Sequence, residues 1–407
     1  MLTVEEARRR VLEAVSVMPV EDVLVGDARG LVVSETLTAP HPLPRFHNSA
    51  MDGYALRGDE GATASEESPL VLEIVGEVRA GDPGDVEVTP GAAVRIMTGA
   101  PLPRGADAVI PVEETEETNG KVVVKGSAPT GAHVRPAGDD LEAGDVLVEA
   151  GTELGPGELA LLATMGFSPL RVRRGPKVAI LVTGDELVSP EAEPGPGQIR
   201  DSNSIALRAL VADAGGEALM FPPVRDDRSA TLEAFRRAGE MADLVLSSGG
   251  VAVGKYDFVK DVVEELGRID MWRVAMQPGK PVVLGAIGAT PFLGLPGNPV
   301  SIHVGFEQFV RPAIRRMRGC RSLLRPTIVA ELTDRIDKRS GRLHFVRVIL
   351  SHRDGRWLAT PTGAQGSHIQ SSLIDCNGVA RFDIDETKID AGSEVIVEVW
   401  RLPEGVQ

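Results

Sequence analysis

Lys177-Val178-Ala179-Ile180-Leu181-Val182 runs directly into Thr183-Gly184-Asp185-Glu186. A short, continuously apolar run that stops in a turn cluster reads as a strand buried on both faces. The pattern then repeats. Glu217 to Phe221 leads to Arg225-Asp226-Asp227, and Asp243 to Leu246 leads to Ser247-Ser248-Gly249-Gly250. Pro291 to Leu295 leads to Pro296-Gly297-Asn298-Pro299. Helical patterns of roughly ten or more residues separate most of these runs, which predicts right-handed βαβ units and a parallel sheet.

Outward from this α/β segment the texture changes twice. Toward the N-terminus, Thr3-x-x-Glu6 reads as a capping box, and Val4, Ala7, Val11, Ala14 and Val15 follow at helical spacing. From about 69 to 150, short β-rich runs are punctuated by Gly-Asp, Pro-Gly and Asn-Gly, as in a small, mostly antiparallel β domain. Residues 156 to 168 return to a helical pattern, so the β module reads as an insertion into a helical domain. Toward the C-terminus, Thr327 to Leu332, Phe345 to Leu350 and Glu394 to Val399 read as strands of a further β domain. The expected division is therefore a helical domain (1–45 and 139–172), an inserted β domain (46–138), an α/β domain (173–322) and a C-terminal β domain (323–407). The arginine-rich stretch from Arg311 to Arg325 is expected to be a solvated helix face or a linker.

Composition narrows the function. At 407 residues the chain is too long for one compact core. It has no apolar run near the roughly 20 residues of a membrane span. Glu5, Glu6 and Arg8 to Arg10 stand where a secretion signal would be apolar, so no targeting peptide is expected. Cys320 and Cys376 are far apart, which disfavours a disulfide framework or a zinc site and points to a reducing cytoplasm. A net charge of −16 disfavours nonspecific nucleic-acid binding.

In an open α/β sheet, ligands bind outside the carboxyl ends of the strands. All four strand ends here carry ligand-type residues. Ser247 to Gly254 is a glycine-rich turn whose backbone N–H groups could face a phosphate, although such turns are commonly only turns. Asp257, three residues beyond Gly254, adds a carboxylate suited to Mg²⁺. Asn298 and Pro299 read as N-cap and first position of a helix whose free N–H groups converge on one spot. Lys280 is held in a stiff Pro-Gly-Lys-Pro loop, suited to an anion. Asn48-Ser-Ala-Met-Asp52-Gly-Tyr-Ala55, after a proline-broken run, suits a rigid loop presenting a carboxylate. Asp52, Asp140, Glu186, Asp226 and Asp257 all fall at loop positions, among 59 acids that mostly serve solvation. The histidines show no metal-ligand spacing, and His303 is expected to pack or cap. These residues describe a multidomain enzyme for a phosphorylated, nucleotide-containing ligand with Mg²⁺. They do not identify a reaction.

In their joint order, these motifs resemble the MoeA family of molybdopterin molybdenumtransferases, which includes the E-domain of gephyrin. Matching segments span the chain: Asn48 to Ala55, Met97 to Pro101, Gly138 to Leu141, Thr183 to Leu187, Arg200 to Asn203, Ser247 to Gly254 with Asp257, Pro278 to Pro281, Leu295 to Ser301 and Gly363 to His368. The resemblance implies a central MogA-like doubly wound α/β domain flanked by helical and β domains. It implies insertion of molybdenum from molybdate into adenylylated molybdopterin, with Mg²⁺ and release of AMP. By motif, Asp52, Thr98 and Asp140 correspond to functional positions outside the α/β domain. Glu186, Asn203, Asp226, Ser248, Gly249, Gly250, Gly254 and Asp257 correspond to the nucleotide and Mg²⁺ side, with Asp226 and Asp257 as the metal ligands. Lys280, Arg347 and Ser367 correspond to the molybdate-holding group, and Pro296, Gly297, Asn298 and Pro299 shape the pocket. A homodimer with shared sites is implied, as are a MogA-type adenylyltransferase and apo-molybdoenzymes as partners. Gln277 and Arg273 stand where many members carry lysine. A MogA-type adenylyltransferase and a tungstate-using insertase are the alternative readings.

Overall fold

The computed structural model describes residues 1–250, 258–271 and 273–403. By compactness the chain divides into two units. One comprises Met1–Glu35, Ala150–Leu159 and Pro169–Gln407; the other comprises Thr36–Glu149 and Ala160–Ser168.

Among the described residues, the first unit is built on a six-stranded sheet. Its strands are β1 (Lys177–Val182), β2 (Glu217–Met220), β3 (Leu244–Ser248), β4 (Gly267–Met271), β5 (Val283–Ile287) and β6 (Thr290–Leu295), in spatial order β2-β1-β3-β6-β5-β4. β2, β1, β3 and β6 are parallel, as their apolar runs predict. β5 and β4 extend the edge antiparallel and were not singled out in the sequence. Helices α1 (Asn203–Asp213), α2 (Arg228–Met241) and α3 (Phe258–Leu266) cover both faces. Alternation along β1 decides which. Val178 and Ile180 share a core with Leu207 and Val211 of α1, while Ala179 and Leu181 pack with Phe235 of α2 and Val259 of α3. Each fully buried Val, Leu, Ile or Phe contributes about 1.5–3 kcal/mol. From β1 the chain steps out to β2, then returns past β1 to β3. The strand order therefore reverses between β1 and β3, the place where such sheets open a crevice.

After β6, α4 (Pro299–Gly305), a π-helical segment (Phe306–Val310) and α5 (Arg311–Met317) follow without a break. The arginine-rich stretch is only in part a solvated face: Arg316 and Arg321 are exposed, but others turn inward. Arg311 and Arg318 are buried, and Arg325 makes a bidentate pair with the buried Glu307 at 2.9 and 2.9 Å. Arg318 donates to the Ala214 carbonyl at 3.0 Å and, with Arg315, faces Glu153 at 3.4 and 3.3 Å. The helical run packs into the same core as the N-terminal helix Val4–Ala14, so its polar side chains need internal partners. In that N-terminal helix only half of the capping box forms. Thr3 Oγ accepts the Glu6 N–H at 3.1 Å, but the Glu6 carboxylate is taken by Arg9 and Arg10 at 2.8 and 3.0 Å.

Toward the C-terminus, Leu343–Arg353, Arg356–Pro361, Thr327–Leu332, Glu394–Val399 and Gly378–Phe382 pair in that order, and the first pairs again with the last to close a ring. Val346, Val348, Phe382 and Val397 fill it. The second unit holds a sheet in the order Ala108–Pro111, Gly53–Leu56, Ala92–Ile96, Leu70–Val78, Lys121–Val124 and Thr115–Thr118. It is antiparallel except where Leu70–Val78 meets Ala92–Ile96. Gly53 permits its tightest approach, since a Cβ there would lie 2.0 Å from the Ile110 carbonyl oxygen. Among the described residues no helix is long and apolar enough to cross a membrane.

Candidate functional site

A cleft of about 660 Å³ opens where the strand order reverses. Each parallel strand end reaches it: Glu186 after β1, Asp226 after β2, Ser248 to Gly250 after β3, and Pro296 to Pro299 after β6. Asn203, the first residue of α1, joins them.

The glycine turn is shaped by close backbone approach. Gly249 and Gly250 have φ of +88° and +66°. A Cβ on Gly249 would lie 2.9 Å from the Thr183 carbonyl oxygen, and one on Gly250 would lie 2.2 Å from Val259 Cγ2. The Gly249 N–H is not free for a phosphate; it donates to the Leu295 carbonyl at 3.1 Å, because β3 and β6 stay paired to their ends, while residues 251–254 of the turn lie outside the described residues. Asn203 ties the walls together. Its amide Nδ2 donates to Ser248 Oγ at 3.0 Å and to the Gly297 carbonyl at 2.7 Å. Ser248 Oγ thus accepts from Asn203 and keeps its own proton to donate.

Two acids stand at the mouth. Asp226 is held by a reciprocal clasp: its Oδ2 accepts the Asp185 N–H at 3.4 Å, and Asp185 Oδ1 accepts the Asp226 N–H at 3.2 Å. Glu186 folds back over Gly184, where a Cβ would lie 2.4 Å from its Oε2. Carboxylate oxygens suit a hard divalent cation such as Mg²⁺. The described residues gather no group of three or more His, Cys, Asp or Glu side chains that could hold a metal ion. A cation here would therefore complete its shell with ligand phosphates and water, as Mg²⁺ commonly does. Gly254 and Asp257 lie outside the described residues.

Asn298 and Pro299 occupy the N-cap and first helical positions of α4, as expected, but the Asn298 side chain does not cap. Its Nδ2 donates to Ser367 Oγ at 3.1 Å, and the Val300 N–H donates to the Ser367 carbonyl at 3.2 Å. The loop around Ser367 thus takes up a donor expected to be free. Arg347 lies fully buried beneath that loop and does not line the cleft. It donates to Ser372 Oγ at 2.7 Å and to the Ala364 and Gly366 carbonyls at 3.1 and 3.3 Å, while burial pulls its pKa down. Its Nη1 has no partner among the described residues. Lys280 adjoins Pro281, which lines the cleft. Its carbonyl accepts the Val274 N–H at 3.0 Å. His303 packs as expected: burial lowers its pKa, and its Nδ1 lies 3.0 Å from the Pro299 carbonyl.

In the second unit, Asp52 and Thr98 come together. The backbone N–H and the hydroxyl of Thr98 both donate to Asp52 Oδ1 at 2.7 Å, which holds that carboxyl below its usual range. Asp140 is exposed, its N–H donating to the Leu43 carbonyl at 2.9 Å; no hydrogen bond joins it to that pair. Thr183, Arg200, Ser202 and Pro281 also line the cleft; they lie within the matching segments but were given no individual role from the sequence. One readable signal for part of this set was Asp201, whose carboxylate accepts the Ser204 N–H at 3.0 Å and so fixes the start of α1.

Comparison with known proteins spans nearly the full length of the chain. Residues 2–166 match the model of the MoeA N-terminal region (domain I and II). Residues 179–316 match that of a probable molybdopterin binding domain, and 329–400 that of the MoeA C-terminal region (domain IV). Molybdopterin molybdenumtransferase 2 of Mycobacterium tuberculosis H37Rv is 36% identical over 99% of this chain and 100% of its own. The molybdopterin molybdenumtransferase of Haemophilus influenzae is 35% identical over 98% of each chain. The crystal structure of a molybdopterin biosynthesis MoeA protein from Pyrococcus horikosii superimposes with a TM-score of 0.85, at 34% identity over 98% of this chain and 99% of that one.

Proposed function

We propose, for a chain that belongs to the MoeA family, that its reaction is the insertion of molybdenum from molybdate into adenylylated molybdopterin, with release of AMP. The observation that carries this reading is the cleft at the strand-order reversal. It joins two mouth carboxylates, Glu186 and Asp226, to a cross-tied wall of hydroxyl and amide groups. A ligand with a nucleotide and a pyrophosphate needs both. In this reading Ser248 donates its hydroxyl proton to a phosphate oxygen, and Asn203 keeps it aimed. Asp226 and Asp257 would hold Mg²⁺, with Glu186 at the cleft mouth; the ion would supply neutralising charge to the pyrophosphate, whose P–O bond is cleaved by an oxygen of water or molybdate as AMP leaves. Molybdate is the co-substrate. Lys280 and Ser367, next to the lining residues Pro281 and Asn298, are assigned to the oxyanion end. Arg347 supports that end from behind through the carbonyls it holds.

The test is AMP release from adenylylated molybdopterin by the purified chain, with molybdate and Mg²⁺ each omitted in turn. Release that depends on both supports the proposal. Release indifferent to molybdate sinks it. A tungstate arm separates the two oxyanions, and incubation with molybdopterin and ATP separates the adenylyltransferase alternative, which would make the adenylate rather than consume it. A homodimer with shared sites is tested with heterodimers of Asp52→Ala and Asp257→Ala chains: recovery of about half of the heterodimer's sites, or roughly a quarter of all sites after random mixing, indicates subunits that complement one another.

A further inference from the structure

A second cavity, about 360 Å³, lies at the C-terminal end of α5. Arg173, Arg316 and Arg321 line it, and among the described residues no aspartate or glutamate does. The chain carries 59 acids against 43 lysines and arginines, so a lining whose charged residues are all arginines runs against its composition. Cations at a helix C-terminus ordinarily answer the helix dipole. Here Arg315 and Arg318 already sit there and face Glu153. Arg173 comes instead from a separate strand, Leu170–Arg173. Neither Arg173 nor Arg316 makes an ion pair among the described residues, while Arg321 has a partner of its own.

The cavity is fitted to these side chains. Gly319 has φ +75°, and a Cβ there would lie 3.0 Å from Arg173 Cδ. Gly151 has φ +85°, and a Cβ there would lie 2.7 Å from Arg321 Cγ. Two left-handed turns thus leave notches in which arginine stems lie. Arg173 Nη1 donates to the Met18 carbonyl, which orients the fork and leaves its other N–H groups unspent. Val17, Val33 and Leu323 supply apolar wall, which strengthens any charge interaction inside. α4, the π-helical segment and α5 form one run from the cleft to this cavity, so the two lie about 27 Å apart at 1.5 Å rise per residue.

We propose that this cavity binds a small tetrahedral dianion between Arg173 and Arg316. Guanidinium forks match phosphate-like oxygens in pairs; Glu5 and Glu13 share a neighbouring pocket with Arg316, but among the described residues no carboxylate lines this cavity. Inorganic phosphate and the phosphate of a small monoester share this chemistry.

The experiment is calorimetric titration of the full chain with inorganic phosphate and, separately, with glycerol phosphate. The expected result is saturable binding of at least one probe. That binding weakens about tenfold or more in Arg316→Gln and in Arg173→Gln, and stays unchanged in Lys280→Gln. Arg316 is exposed, so Arg316→Gln remains informative if Arg173→Gln does not fold. Tighter binding of glycerol phosphate identifies a phosphorylated metabolite as the ligand; tighter binding of phosphate identifies the free ion. The proposal is overturned if neither probe saturates, if both arginine variants bind as the wild type does, or if Lys280→Gln abolishes the signal.

Discussion

Asn203→Ala removes the bond that ties the cleft walls, and its cost can be worked from two distances. Nδ2 donates at 3.0 Å to Ser248 Oγ and at 2.7 Å to the Gly297 carbonyl. A net hydrogen bond contributes about 0.5–1.5 kcal/mol, so the two together hold about 1–3 kcal/mol. Their surroundings place the value within that range. Gly297 is exposed, and water can replace the lost donor there. Ser248 is 2% exposed, so its unpaired oxygen bears nearly the full penalty. About 2 kcal/mol results, or roughly 30-fold in an equilibrium. If the tie serves to position Ser248, that cost falls on kcat/KM for molybdate-dependent AMP release. The melting temperature drops by about 4–8 °C, since 1 kcal/mol shifts a large domain by about 2–4 °C. Asn203→Asp sharpens the test. It keeps the size but turns an acceptor toward the Gly297 carbonyl, so activity falls at least as far as in the alanine variant. An alanine variant within twofold of wild-type kcat/KM, or an active aspartate variant, refutes the reasoning.

Three further outcomes are expected. Arg325→Ala strips the bidentate partner from Glu307, whose side chain is 3% exposed; among the described residues only Arg311, at 3.8 Å, remains, so calorimetry should show a loss of about 3–5 kcal/mol. Asp52 has a carboxyl pKa lowered below 3.8 by the two Thr98 donors, so its stabilisation is complete above that value and disappears as pH falls through the folded pKa. Asp52→Asn should therefore melt lower than wild type at neutral pH and converge with it in acid; a gap independent of pH contradicts this. Glu398 has the opposite sign. Burial raises its pKa, although Gln308 Nε2 donates to it at 2.6 Å, so its protonated form is favoured and stability declines as pH rises through the folded value. Glu398→Gln should flatten that decline, with thermal melts at pH 5 and pH 8 as the check.

The parallel sheet was legible because burial on both faces writes itself as uninterrupted apolar runs, as in Val178 to Val182. The edge strand Gly267–Met271 was not, since Arg268 and Asp270 break its apolar run and it borders only β5. Site positions at strand ends were legible for the same reason as the strands. Glu186, Asp226, Ser248 and Asn298 reach one cleft through topology alone. What those side chains bond to was hidden. Asn298 and Ser367 are 69 positions apart, and Arg325 and Glu307 are 18 apart with a helix between them. No local pattern specifies such pairs. The arginine-rich run was misread because charge signals water unless a partner is known, and its partners, Glu153 and Glu307, are unremarkable acids in sequence.

The Ser367 loop has a consequence for modularity. Residues 173–322 contain every strand and helix of the parallel sheet, and look separable. Yet the first free N–H of α4 and the amide of Asn298 are answered from beyond that boundary, by one serine. A fragment cut at residue 322 would leave those groups to water and the cleft rim without its backing. It would also bare the core that Val300, Phe306 and Ile314 share with Val4, Val11 and Phe345, so the wall at the β6 end is built only by the longer chain.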